Sequence, residues 1–105
     1  MFGNMAGMAK KVQKIQEDLA KAQEELKRRS VEVSTGGGAV TLVMTGEKLV
    51  QSLKINPSAV DPEDVEMLED LLTAAVNEAI KKVDEMSAQE MSKVTGGLNL
   101  PKGIF

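Results

Sequence analysis

The chain has 105 residues, of which 42% are hydrophobic and 28% are charged, and its formal net charge is −3. It contains no histidine and no cysteine, which excludes the commonest general base, thiol nucleophiles, disulfides and thiolate metal sites. No apolar run approaches the roughly 18 residues of a membrane span, so we expect one cytoplasmic domain over residues 1–105 with no membrane partner. Because the usual catalytic and metal-binding side chains are missing, we do not expect an enzyme, and we expect no cofactor, metal or small-molecule substrate.

The first predicted element is a long amphipathic helix over residues 5–29. At 1.5 Å per residue its length is roughly 37 Å, so it should extend beyond a small sheet. The pattern fits packing within the domain and also pairing with a helix of another chain. Its apolar residues recur alternately three and four positions apart, as in the seam between two packed helices: Met5, Met8, Val12, Ile15, Leu19, Ala22 and Leu26.

Residues 30–55 predict a three-stranded antiparallel meander, because apolar and polar residues alternate there between turn signals. The Gly36-Gly37-Gly38 triplet is followed by further strand-like sequence and not by a helix, so we interpret it as a hairpin turn and not as a phosphate-binding loop. A sheet of three strands has two open edges, which favours a covering element or a second chain. The predicted strands are residues 30–35, 39–44 and 49–55.

A second long helix is predicted over residues 61–95, with Asp61 as its N-cap and Pro62 at its first helical position. Gly96 is expected to cap its C-terminal end, and residues 96–105 form a short tail. Residues 61–70 hold six acidic side chains and no base. We interpret them as complementing the helix dipole in preference to binding a metal.

The positive charge is concentrated in the first helix. Residues 1–30 carry +3, with seven bases against four acids. At 100° per residue, Lys10, Lys14, Lys21 and Arg28 fall within about 40° of one another, nearly opposite the apolar seam. We call these four residues the basic stripe. The stripe is either a solvated surface with many salt bridges or a ridge that contacts DNA phosphates. With the neighbouring bases included, the candidate DNA-binding residues are Lys10, Lys11, Lys14, Lys21, Lys27, Arg28 and Arg29.

Several segments together resemble the YbaB/EbfC family of bacterial nucleoid-associated proteins. The resemblance spans essentially the whole chain. The matching segments are Met1-Phe2-Gly3, Ile55-Asn56-Pro57-Ser58, Glu66-Met67-Leu68-Glu69-Asp70-Leu71, Ala74-Ala75-Val76-Asn77-Glu78-Ala79 and the Gly97-Leu98-Asn99-Leu100-Pro101 ending with Gly103 and Phe105.

This resemblance implies an α+β protomer of order α-β-β-β-α, with a three-stranded antiparallel sheet between two long helices. It also implies an intertwined, tweezer-like homodimer located in the nucleoid. The expected activity is binding to double-stranded DNA with little sequence specificity, together with chromosome compaction and, in some members, gene regulation. The DNA-contacting residues do not follow from a fixed motif of the family, so the candidates above depend on the helix geometry.

A second hypothesis comes from a different functional class. Projecting helices around a small sheet also occur in prefoldin-type subunits, so the chain fits a chaperone-like or scaffold module that clamps protein partners. The seven methionines suit adaptable apolar contacts. This hypothesis requires apolar side chains to be exposed towards the helix tips.

Overall fold

The computed structural model describes residues 2–95, and the side chains from Gly7 to Val94. The predicted tail and the predicted cap at Gly96 lie outside these residues. The α+β order α-β-β-β-α is confirmed. Its elements are α1 (Phe2–Arg28), β1 (Ser30–Thr35), β2 (Val40–Thr45), β3 (Val50–Ile55), a 3-10 turn (Pro57–Ala59) and α2 (Val65–Thr95).

The three strands form an antiparallel sheet in the order β1-β2-β3. Gly36, Gly37 and Gly38 connect β1 to β2 and all have positive φ angles, of 62°, 64° and 101°. Side chains at such angles are strained, whereas glycine adopts them freely, so the triplet forms a tight reversal. The prediction of a hairpin turn is therefore confirmed.

The core lies between α2 and the face of the sheet formed by alternate residues of β1 and β2. Leu42 and Val40 are almost completely buried, and Ala75 and Ala79 on α2 are fully buried. These small side chains let the helix backbone lie close to the sheet. The Thr35 hydroxyl donates a hydrogen bond of 2.9 Å to the Leu71 carbonyl, which fixes α2 along β1.

The predicted start of the second helix is wrong by three residues, because its first helical residue is Val65 and not Pro62. Asp61 and Pro62 belong to a separate turn, in which Asp61 accepts hydrogen bonds from Glu63 N–H at its side chain and from Asp64 N–H at its carbonyl. Proline is favoured at the second position of such a turn, and this competes with its place at the start of a helix. Asp64 is the residue before α2, and its carboxylate accepts the Met67 N–H at 3.3 Å.

The helix α1 extends beyond the sheet, as predicted. Its 27 residues correspond to roughly 40 Å of helix, whereas each strand has six residues. Near its C-terminal end α1 packs against α2, and Ala22 and Leu26 are buried. Towards the N-terminal end the same seam is exposed, by 53% at Val12 and 66% at Met8. We call residues 7–19 of α1 the arm.

Candidate nucleic-acid interface

The basic stripe lies along one exposed face of α1. Lys10, Lys14 and Lys21 border a shallow depression that Glu17 and Asp18 also line. Lys21 and Arg28 border the next depression along the helix, together with Glu24 and Glu25. From Lys10 to Arg28 the stripe is about 27 Å long, given 1.5 Å per helical residue. This length corresponds to about eight base pairs of B-DNA at 3.4 Å per pair.

Within the described part of the chain, the cations of the stripe are not paired with carboxylates. Among the residues that the structure describes, Lys10, Lys14, Lys21 and Arg28 take part in no ion pair and no side-chain hydrogen bond. Glu24, which stands four residues before Arg28, instead pairs with Lys27 at 3.3 Å. The four cations of the stripe are therefore available to a negatively charged ligand.

Three predicted site residues stand outside the stripe. Lys11 is exposed on a neighbouring face of α1, and Lys27 is exposed but carries the ion pair with Glu24. Arg29 follows the last residue of α1, and its guanidinium donates a hydrogen bond of 2.7 Å to Glu90 on α2. The structure therefore places Arg29 in an ion pair that joins the residue after α1 to α2, and not along the stripe.

Glu90, on α2, is a residue of the site that the sequence analysis does not predict. Its side chain is only 11% exposed and also accepts a hydrogen bond from Lys93 at 3.2 Å. One signal was present: Glu90 continues the spacing of the buried residues Ala79, Val83 and Met86 on α2. A charged residue in line with an apolar face indicates a nearby partner of opposite charge.

A second exposed surface is apolar and lies on β3. Leu53 pairs with Leu42 and Val50 pairs with Met44 across the antiparallel ladder, so these β3 side chains share the face of the sheet that packs on α2. The helix lies mainly over β1 and β2. Leu53 consequently remains 46% exposed and Val50 51% exposed.

By its fold, the chain is an α+β protein of order helix–sheet–helix whose projecting helix presents exposed cations. The comparisons with known proteins specify its family. Residues 1–98 match the YbaB/EbfC DNA-binding family, and the chain belongs to that family. The resemblance inferred from the sequence is thereby confirmed.

Relatives of the chain carry a functional name. This chain is 56% identical to a nucleoid-associated protein of Desulforamulus reducens, over 100% of this chain and 99% of the relative. It is 54% identical to a nucleoid-associated protein of Acetivibrio thermocellus, over 98% of this chain and 91% of the relative. The crystal structure of an uncharacterised protein from Helicobacter pylori shares the fold, with a TM-score of 0.67 and 24% identity over 85% of this chain and 90% of that one.

The family is defined by DNA binding and not by an enzymatic reaction. Within residues 2–95, no helix combines the length and the apolar character that crossing a lipid bilayer requires.

Proposed function

We propose that this chain is a nucleoid protein that binds double-stranded DNA with little sequence preference through the basic stripe of α1. The observation that carries the proposal is a line of four exposed cations, none of them paired with a carboxylate in the described residues. Lysine ammonium groups contact phosphates as point charges, and phosphate contacts carry no direct sequence information. Lys11 flanks the stripe and adds to its positive potential, whereas the charge of Lys27 is offset by its ion pair with Glu24.

We further propose that the functional unit is a homodimer. Val50 and Leu53 on β3, with Val76 on α2, present apolar surface that a second copy would remove from water. A chain of this size buries a modest core by itself, so additional burial on association is favourable. Two-fold symmetry would duplicate the stripe and give about eight phosphate contacts in all.

Two stripes on separate arms also give the dimer a way to compact the chromosome. Each arm can contact a different segment of DNA, or one segment bent between them, and either arrangement shortens the path of the duplex. This proposal is supported by the names of the relatives, which place them with the nucleoid.

The proposal is tested by a salt titration of DNA binding. We compare the wild type with the double variant Lys14→Glu/Lys21→Glu, using unrelated duplexes of equal length. The slope of log K against log [salt] is about −0.9 per phosphate contact, so loss of two contacts in each protomer should flatten it by roughly 3.6. The wild-type affinity should be similar for all the duplexes.

The matched control is Lys54→Glu/Lys81→Glu, which changes the net charge equally. Both lysines are exposed and unpaired within the described chain, but they lie on β3 and α2. The control should retain most of the wild-type slope. Equal losses in the two double variants would show that overall charge, and not the stripe, determines binding. Sedimentation of the wild type at micromolar concentration tests the dimer separately, and a monomer there would contradict it.

A further inference from the structure

The junction between α1 and the rest of the molecule is held by contacts from three directions. The Arg29 side chain reaches Glu90 on α2 at 2.7 Å, and the Arg29 carbonyl accepts the Gly46 N–H of the β2–β3 turn at 3.0 Å. Leu26 is buried one helical turn earlier. We call Leu26, Arg29, Gly46 and Glu90 the joint. Together with the packing of α1 on α2, in which Ala22 is also buried, these contacts fix the direction of the arm relative to the sheet.

Glu90 places a carboxylate at a buried position on the apolar face of α2, where an apolar side chain is usual. Within the described residues it is the only buried charged side chain, and an apolar residue would avoid the cost of removing a carboxylate from water. Its partner Arg29 is 42% exposed, and an ion pair between a buried carboxylate and such a side chain contributes little net stability compared with an apolar contact of similar volume. A hydrogen-bonded ion pair differs from an apolar contact because its energy depends on how the donor N–H is directed at the acceptor oxygen. Glu90 therefore specifies the direction of α1 more strictly than a leucine would.

We propose that Glu90 is a positioning residue for DNA binding, which acts through Arg29 to hold the α1 arm at a fixed angle. This inference rests on the proposed function of the stripe and adds a role for two residues outside it. Arg29 then contributes to DNA binding through its bond to Glu90 and does not contact phosphate itself. A fixed arm matters because an arm that is ordered only on binding lowers the affinity by its ordering cost.

The variant Glu90→Gln separates this role from simple electrostatics. Glutamine has the same shape and can still accept a hydrogen bond, but the charge that holds the Arg29 guanidinium is lost. The variant also makes the protein more positive near α1, so electrostatics alone predicts tighter DNA binding. Positioning predicts the opposite, and we expect Kd to rise about tenfold because the arm must be ordered at association.

The direction of the arm is measured without DNA. The chain contains no cysteine, so Gln16→Cys on α1 and Ser34→Cys on β1, both exposed positions, accept spin labels specifically. Pulsed electron paramagnetic resonance then gives the distance between the two labels, after dilution with unlabelled protein to suppress signals between protomers. We expect a single narrow distribution in the wild type and a broad one in Glu90→Gln.

The double variant Arg29→Glu/Glu90→Arg provides the rescue. It re-forms the ion pair with reversed polarity, and Lys93 is exposed enough to turn away from the new arginine. We expect the narrow distance distribution and the wild-type Kd to return. If Arg29 contacted phosphate directly, a glutamate at position 29 would leave DNA binding weak even though the arm was restored.

An unchanged label distance in Glu90→Gln, or an unchanged or lower Kd for DNA, would overturn the proposal. A lower melting temperature with neither change would assign the pair to stability alone. If the wild type failed to bind DNA, the proposed function would fall, whereas the label distances would still decide whether Glu90 sets the direction of the arm.

Discussion

Gly46 is the position where one added methyl group should do the most damage. A Cβ atom built there would lie 1.9 Å from the Leu26 carbonyl oxygen and 2.7 Å from the Leu26 carbonyl carbon. Gly46 does not have a positive φ angle, so the restriction comes from space and not from backbone conformation. The variant Gly46→Ala therefore tests whether α1 and the β2–β3 turn are in close backbone contact.

The size of the effect follows from the distance. Carbon and oxygen atoms in contact are normally about 3.3 Å apart, so the two backbones would have to separate by roughly 1.4 Å. The Leu26 carbonyl cannot easily retreat, because it also accepts the Arg29 N–H at 3.2 Å. Overpacking against movable side chains costs about 1–3 kcal/mol, and a clash with backbone belongs at or above the upper end of that range.

Thermal and urea unfolding, followed by circular dichroism at fixed protein concentration, measure this cost. For a domain of this size, about 3 kcal/mol corresponds to a fall of at least 12 °C in melting temperature. The matched control is Gly7→Ala on the arm, where an added Cβ meets nothing within 4 Å. Alanine is a better helix former than glycine by about 1 kcal/mol, so the control should be neutral or more stable. A loss below about 1 kcal/mol in Gly46→Ala would contradict the close contact.

Two further variants test the start of α2 and the core, again by urea unfolding. Asp64→Ala removes the hydrogen bond to the Met67 N–H and should lower the free energy of unfolding by about 1 kcal/mol, as the loss of an N-cap does. A larger loss in Asp61→Ala would show that Asp61 is the N-cap instead. Leu42→Ala opens a cavity beneath α2 and should cost about 2–5 kcal/mol, because this side chain is only 1% exposed. Val12→Ala on the exposed seam is its control and should change the free energy of unfolding little, whereas equal losses would place Val12 in the core.

The helices and strands were predictable because their patterns are local. The seam from Met8 to Leu26 repeats every three or four residues whatever the helix contacts, and alternation marks each strand in the same way. The glycine triplet was equally clear, since its three positive φ angles are a property of the local backbone. These signals do not depend on which parts of the chain meet in space.

The start of α2 was not predictable from such signals, because two aspartates compete for the same role. Asp61 and Asp64 are both good N-cap residues, and Pro62 suits either a first helical position or the second position of a turn. The choice is made by the turn hydrogen bonds that join Asp61 to Glu63 and Asp64. Of the six acids in residues 61–70, only Glu66 falls in the first turn of α2, so the helix dipole explains less of the acidic block than the sequence suggested.

The candidate site also combines residues that local spacing predicts with a contact that only the tertiary structure shows. The basic stripe follows from the helical repeat alone, so Lys10, Lys14, Lys21 and Arg28 were identified together, and the structure keeps them on one exposed face. The position of Arg29 depends on Glu90, which is 61 residues away in the chain, and no local pattern connects the two. A contact of that kind decides where the stripe points. The angle of the arm is therefore a property of the tertiary structure, and it is the part of the candidate DNA interface that the spacing of the lysines leaves undetermined.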